Sequence, residues 1–340
     1  MLKKQGSGKR FIFIVFVICL LGAALWSALN FGSSRQSTAL RNITIALPTQ
    51  VSAGALYVGL DQHIFEKHGL HVVIQPFVLG KQALQSMLAG NADFAILADT
   101  PFMFAVTRGE KIATVATIFG SRRTMAVVAR KDHGIDDAGD LSEKNIGTTF
   151  GTNAQYFVDA LLVAHSVPKA SVTIVDMKPE ALVEAIKSEK LDAVTAWQPD
   201  LAKLEEALGD RCVTIYGEDI FVYRFLLVGK QDYLVKHADD VRDTLAAIEE
   251  ATLYIHEHPA VAQRVIGRSL GMDGALLSKT FDPNDFNLSL DQTLLLALSD
   301  ETRWAMRQGM VPMAPIPNYL DYLYQEPLES VLPSAVKIIR

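Results

Sequence analysis

Ile43–Gly54 reads ITIALPTQVSAG: a strand-like apolar run, Ile43–Leu47, followed by small and polar residues that open a helix. The same grammar returns in FAILADTP (Phe94–Pro101), IGTTFGT (Ile146–Thr152) and AVTAWQP (Ala193–Pro199). A helix start leaves backbone N–H groups unpaired and carries a partial positive charge, so it suits an anion or a polar solute. Several such starts meeting in one cleft make a binding site that needs no catalytic side chain.

Working outward, the pattern predicts strand Ile43–Leu47, a helix over Gly54–Lys67 ending at Gly69, strand Val72–Phe77, helix Lys81–Ala89 and strand Phe94–Leu97. Thr100 is read as an N-cap and Pro101 as the first helical residue. Thr124–Arg130 is the next strand. The alternation then repeats through strand Asn145–Thr149, helix Asn153–His165, strand Ser171–Val175, helix Glu180–Glu189, strand Ala193–Ala196 and helix Asp200–Ala207. Val213–Tyr216 and Tyr223–Val228 are expected to close this second block. Strands alternating with helices of this length imply an α/β protein with mostly parallel sheets. Beyond Gly229 the pattern turns helical, with the stripe Val241, Leu245, Ile248, Thr252 and Ile255 and an amphipathic helix over Gln292–Gln308. These helices are expected to pack back on the first block.

The 340 residues suit two lobes, and the hydrophobic fraction of 49% is that of an ordinary globular chain. The start is different. Lys3, Lys4, Lys9 and Arg10 precede the 19 apolar-rich residues Phe11–Leu29. Such a segment is an export signal or a membrane anchor, and its basic flank keeps the N-terminus cytoplasmic. Cleavage near Gly32–Ser34 and an uncut anchor over residues 11–29 both fit. Either way the body is expected outside the cytoplasmic membrane. Cys19 lacks the small residue that a lipid-attachment site wants before the cysteine. Cys212 is the remaining cysteine, so no internal disulfide is expected in the body. Removing the four basic leader residues moves the formal net charge from −6 to about −10, which argues against nucleic-acid binding.

The ordered segments YVGLDQHIFEKHGLHVVIQPF (Tyr57–Phe77), LAGNADFAILADTP (Leu88–Pro101), VARKDHGI (Val128–Ile135), IGTTFGTNAQYF (Ile146–Phe157), LDAVTAWQPD (Leu191–Asp200), LSLDQTLLLALSDETRWA (Leu288–Ala305) and IPNYLDYLY (Ile316–Tyr324) carry a resemblance. Together they resemble the periplasmic substrate-binding proteins of ABC importers of the nitrate/sulfonate/taurine type. The resemblance implies a two-lobe periplasmic-binding-protein-like (type II) fold with hinge strands, here preceded by an N-terminal apolar leader helix (residues 1–34). Lobe one would be Arg41–Met125, completed by the return from Tyr223 to Arg340, and lobe two Ala126–Val222. Hinges would fall near Met125–Ala129 and Tyr223–Leu227. It further implies a small solute trapped between closing lobes, an ABC permease as partner in the cytoplasmic membrane, and a monomer.

Candidate solute contacts follow from the helix starts. Gln50, Ser52 and Gly54 stand at the first, where small residues let backbone approach closely. Gly80 marks a comparable turn beside Lys81. Asp99 and Thr100 open the second, though Asp99 repels an anion unless the ligand carries a donor. Gly151, Thr152 and Asn153 open the third, where T-N-A-Q reads as a capping box between Thr152 and Gln155. That box is itself a sufficient structural reason for those residues; the resemblance turns the Gly151–Asn153 amides toward the cleft. Trp197 either packs in the core or stacks on a ligand. Gln198 stands where the family often has Glu. Arg224, near a hinge strand, is the best-placed cation, with a structural ion pair as its plainer role.

The eight histidines form no ligand pattern: His63, His68 and His71 span a helix end and a strand start, and no H-E-x-x-H occurs. No metal, cofactor or catalytic residue is expected. Gly6–Lys9 mimics only part of a phosphate loop, and there is no G-x-S-x-G. The reading is a non-enzymatic solute-binding component for an alkanesulfonate, taurine or nitrate-like anion. The alternatives are a relative that binds or makes a thiamine pyrimidine precursor, and a membrane-tethered sensor. The synthesising relatives carry a cysteine-rich signature that two cysteines cannot supply.

Overall fold

The computed structural model describes residues 39–278 and 281–339; the expected leader helix and Cys19 lie outside them. Twelve strands are described: β1 (Arg41–Pro48), β2 (Leu70–Phe77), β3 (Phe94–Ala98), β4 (Ile112–Ser121), β5 (Met125–Arg130), β6 (Asn145–Thr148), β7 (Thr173–Asp176), β8 (Ala193–Trp197), β9 (Cys212–Tyr216), β10 (Tyr223–Lys230), β11 (Phe286–Asp291) and β12 (Val336–Lys337). They form two sheets, ordered β12-β11-β4-β10-β3-β1-β2 and β7-β6-β8-β5-β9. The βαβ units dictate the parallel pairs β1–β2, β1–β3, β6–β7 and β6–β8. Strands β5 and β10 run antiparallel to their neighbours. The α/β character read from the alternation is therefore present, in two mixed sheets.

The chain builds β1–β4 in the first sheet, β5–β9 in the second, and returns to the first with β10–β12. Tyr223–Val228 accordingly does not close the second block. It lies in β10, centrally between β3 and β4, because its apolar run is buried on both faces and needs a central slot. The crossings between sheets fall at 122–124 and 217–222, while the stretches expected as hinges, 125–129 and 223–227, are paired strand residues. Strand β4, not anticipated, is the run IATVATIFGS, nearly all of it buried.

The helix expected over 54–67 is broken into Gly54–Asp61 and Ile64–Lys67. His63 at the break has φ 54°, and the resulting turn lets Ile64 and Phe65 enter the core. In the C-terminal region, Val241, Leu245, Ile248, Thr252 and Ile255 of the Ala238–Glu257 helix are buried, and this helix packs on the Gly54–Asp61 helix and on β2. The Gln292–Arg307 helix is capped by Asp291, whose carboxylate accepts from the Thr293 and Leu294 amides. The main core runs from the first sheet into the Asn153–Ala164 helix, including Phe157, Val158 and Leu161. A smaller core lies under the Pro179–Lys187 and Asp200–Leu208 helices.

Candidate functional site

Five strand ends meet between the two sheets. Gln50 follows β1, Gly80 and Lys81 follow β2, and Ala98 and Pro101 span the end of β3 and the helix after it. From the second sheet come Thr152 and Asn153 after β6, and Trp197 at the end of β8. With Tyr223 and Phe225 of β10 they enclose a cavity of about 20 Å³, room for about one water molecule. Open α/β sheets take ligands at the carboxyl ends of their parallel strands, and this cavity is at that place for both sheets.

The pleat of β10 decides which of its side chains enter. Phe225 pairs with Ala98 across the antiparallel ladder, so Tyr223 and Phe225 share the cavity face and Arg224 points to the other. The Tyr223 hydroxyl donates to Gln50 Oε1 at 2.8 Å. Asn153 lies beside that hydroxyl, and its Nδ2 is buried with no hydrogen-bond partner. A buried amide donor without a partner is costly, and here it lines the cavity.

Of the residues singled out in the sequence, Gln50, Gly80, Thr152, Asn153 and Trp197 line this cavity. Arg224 and Asp99 do not. They face each other on the far side of the sheet at 3.8 Å, and Arg224 also donates to Thr293 Oγ1. Thr100 is not an N-cap: the helix begins at Asp99 after extended Ala98, and the Thr100 hydroxyl donates to Glu301 Oε1 at 2.8 Å. Burial raises both carboxyl pKa values. Asp99, beside Arg224 and the Thr100 amide, goes to about 6. Glu301, facing Asp99's charge as well, goes well above the carboxylate range.

Thr152 caps its helix, its Oγ1 accepting from the Ala154 amide and donating to the Thr149 carbonyl. The expected box is shifted by one residue, because Gln155 Oε1 takes the Gly151 amide. That amide is therefore spoken for, and Gly151 lines an outer groove instead. Gln198 accepts from the Ala202 amide and lines a separate polar cleft of about 700 Å³ with Arg122, Arg123, Glu218 and Arg224. Ser52 is buried, its hydroxyl without a partner, and it is not among the cavity's lining residues.

Gly54 is a packing residue. A Cβ there would sit 2.6 Å from Ile266 Cδ1 and 2.8 Å from the Phe286 ring. Gly54→Ala is expected to lower stability by about 1–3 kcal/mol by overpacking. A chemical-denaturation midpoint equal to wild type would refute that assignment.

Lys81 was read from sequence with Gly80 as marking the turn after β2, and not as a solute contact. It lines the cavity and two flanking grooves of about 480 and 380 Å³. Its Nζ donates to the Phe150 carbonyl at 3.1 Å, linking the two halves. Tyr223 and Phe225 were also missed; without the pairing of β10 their facing was not readable. A second link lies on the Gln292–Arg307 helix, where Trp304 Nε1 donates to Asp159 Oδ2 at 2.7 Å. Among the described residues no group of three or more His, Cys, Asp or Glu is arranged to hold a metal ion, and no helix is long and apolar enough to cross a membrane.

The chain belongs to the NMT1/THI5-like family, whose model matches residues 50–262. It is similar to the taurine-binding periplasmic protein of Escherichia coli (strain K12), with 24% identity over 285 residues, 80% of this chain and 88% of the relative. In structure it is similar to the periplasmic aliphatic sulphonate binding protein SsuA from Escherichia coli. The TM-score is 0.75 at 14% identity, covering 84% of this chain and 98% of that one. The fold is shared beyond binding proteins: the desulfurization enzyme DszB matches at TM-score 0.65 and 13% identity, covering 86% and 99%. The two-sheet periplasmic-binding-protein-like fold is thus the architecture of this chain.

Proposed function

We propose that this protein is the solute-binding component of an ABC import system. It captures a small anion of the sulfonate, taurine or nitrate kind between two lobes and delivers it to a membrane permease. The observation that carries this reading is the interlobe cavity, where helix starts from both sheets converge around the unpartnered Asn153 Nδ2. Gln50, Gly80, Lys81, Thr152, Asn153 and Trp197 are the proposed contacts. Tyr223 positions Gln50 by its hydrogen bond. Lys81 supplies the positive charge that Arg224, turned to Asp99, does not. The lobes part by bending at 122–124 and 217–222, and solute favours closure through contacts made from both sides. The body works in the periplasm or on the outer face of the cytoplasmic membrane, as a monomer. Residues Arg41–Met125 with Tyr223–Arg340, and Ala126–Val222, are the proposed lobes.

Thermal melts with nitrate, taurine, methanesulfonate and an aminopyrimidine test this. A hundredfold excess over Kd adds about 2.7 kcal/mol for a single site, so the matching anion raises Tm clearly. Lys81→Met is expected to weaken that anion about 10- to 100-fold, the range of a charge-assisted hydrogen bond. No shift with any of the anions, or a shift with the aminopyrimidine alone, removes the reading.

A further inference from the structure

We propose that the polar cleft of about 700 Å³ behind the two crossings sets solute affinity from outside the solute site. Its acidic wall, Asp282 and Asp285, meets and pairs with Arg122 and Arg123 when the front cavity opens, and so holds the protein open until solute closes it. This rests on reading the interlobe cavity as the solute site and 122–124 and 217–222 as the bending segments.

The pleat supplies the lever. On β10, Tyr223 and Phe225 line the front cavity and Arg224 lines the rear cleft. The end of β8 repeats the split, with Trp197 in the cavity and Gln198 in the cleft. The two spaces therefore lie on opposite faces of the strands that join the halves. Residues of both crossings, among them Arg122, Arg123 and Glu218, border the rear cleft. A bend there that widens the front narrows the rear.

The rear walls carry opposite charge. With the front cavity shut to about 20 Å³, the two arginines turn to the second crossing. Arg122 donates to the Glu218 carbonyl. Arg123 donates to Glu218 Oε1 at 2.8 Å, its guanidinium 4.6 Å from the centre of the Tyr216 ring. Both side chains are exposed, so each can swing across the cleft. On the opposite wall Asp282 accepts from the Asn284 amide and Nδ2. Asp285 is half-buried, and burial lifts its pKa to about 6, against the Ser121 hydroxyl and with the charge of Asp282 adding to the rise. Among the described residues no cation offsets it. Narrowing the cleft brings guanidinium to carboxylate and relieves that charge, so the gain falls to the form whose front is open.

Isothermal titration and stopped-flow release with nitrate, taurine and methanesulfonate test this. They are run on the purified protein, Asp282→Asn/Asp285→Asn, Arg122→Gln/Arg123→Gln and the variant combining all four changes. The aspartate variant is expected to bind the anion that wild type binds about three- to tenfold more tightly, the range of two exposed ion pairs. Release slows to match, because the open form has lost its rear contact. In the Arg122→Gln/Arg123→Gln background the same aspartate changes are expected to alter affinity by less than about twofold. Unchanged or weaker binding by the aspartate variant overturns the rear pairing and leaves the interlobe site standing. An equal gain in both backgrounds also overturns it, since the carboxylates then act without the arginines. Failure of all three anions, with wild type and variants alike, overturns both readings.

Discussion

Trp304→Ala is expected to destabilise the protein by about 3–5 kcal/mol, the range for truncating a buried large aromatic. The indole is 4% exposed. It meets Tyr156 edge-on at 5.3 Å and Phe104 at 6.2 Å, so it is wedged between a helix of the first sheet's half and one of the second's. Its Nε1 donates to Asp159, a buried carboxylate whose other described donor is Lys169 Nζ at 2.6 Å. Lys169 also reaches Gln308 Oε1 at 2.7 Å, one turn beyond Trp304. Alanine therefore leaves a cavity and takes a donor from a buried charge. Trp304→Phe keeps most of the ring and removes only the donor, and is expected to cost about 1–3 kcal/mol. Urea unfolding of both variants measures this. A loss below about 1 kcal/mol for the alanine variant would show that the indole is not the wedge described.

Raising the pH is expected to weaken the fold through Asp99 and Glu301, and Glu301→Gln is expected to blunt that loss. Both carboxyls bind their protons more tightly folded than unfolded, because burial penalises the charge. Arg224, at 3.8 Å from Asp99, offsets part of this. Tyr156, Tyr223 and Tyr319 also face the pair. At neutral pH the unfolded chain therefore holds fewer protons than the folded one, and stability falls as pH rises. The loss begins above the ordinary carboxylate range, near pH 4, and continues through Asp99's value of about 6 toward that of Glu301. Each group contributes at most about 1.4 kcal/mol per pH unit. Glutamine at 301 cannot ionise and still accepts from the Thr100 hydroxyl. The variant should be more stable than wild type at pH 8, with the difference shrinking toward pH 5. Asp285, half-buried with a pKa near 6, adds a slope of the same sign to both proteins and cancels in the comparison. Parallel stability curves for the two proteins between pH 5 and pH 8 would contradict this account.

The helix-start segments were legible in the sequence because their signals are local. A β-branched or alanine-rich run followed by threonine, glycine or proline reads as strand and then helix wherever it stands, and Gln50, Gly80, Thr152, Asn153 and Trp197, which line one cavity, were singled out on that basis. The errors were in facing and in partners. Asp99 and Thr100 have the right residue types at the right strand end, yet their side chains turn to Arg224 and Glu301, the latter 201 residues further along. Arg224 was the attractive cation in the sequence, and the pleat of one strand removed it from the cavity. Strand β4 passed unnoticed because a fully buried strand shows no alternation.

By itself, the order of residues determined that this chain makes alternating strands and helices, that their starts carry polar donors, and that its last third is helical. These properties depend on neighbours within a few positions, through capping, periodicity and backbone preference. Only the tertiary structure decided that β10 belongs to the first sheet, that Lys81 is the cation at the cavity, and that Trp304 joins the two halves. Those outcomes depend on which strands pair and in what register, and a register shift of one residue exchanges every inward side chain for an outward one.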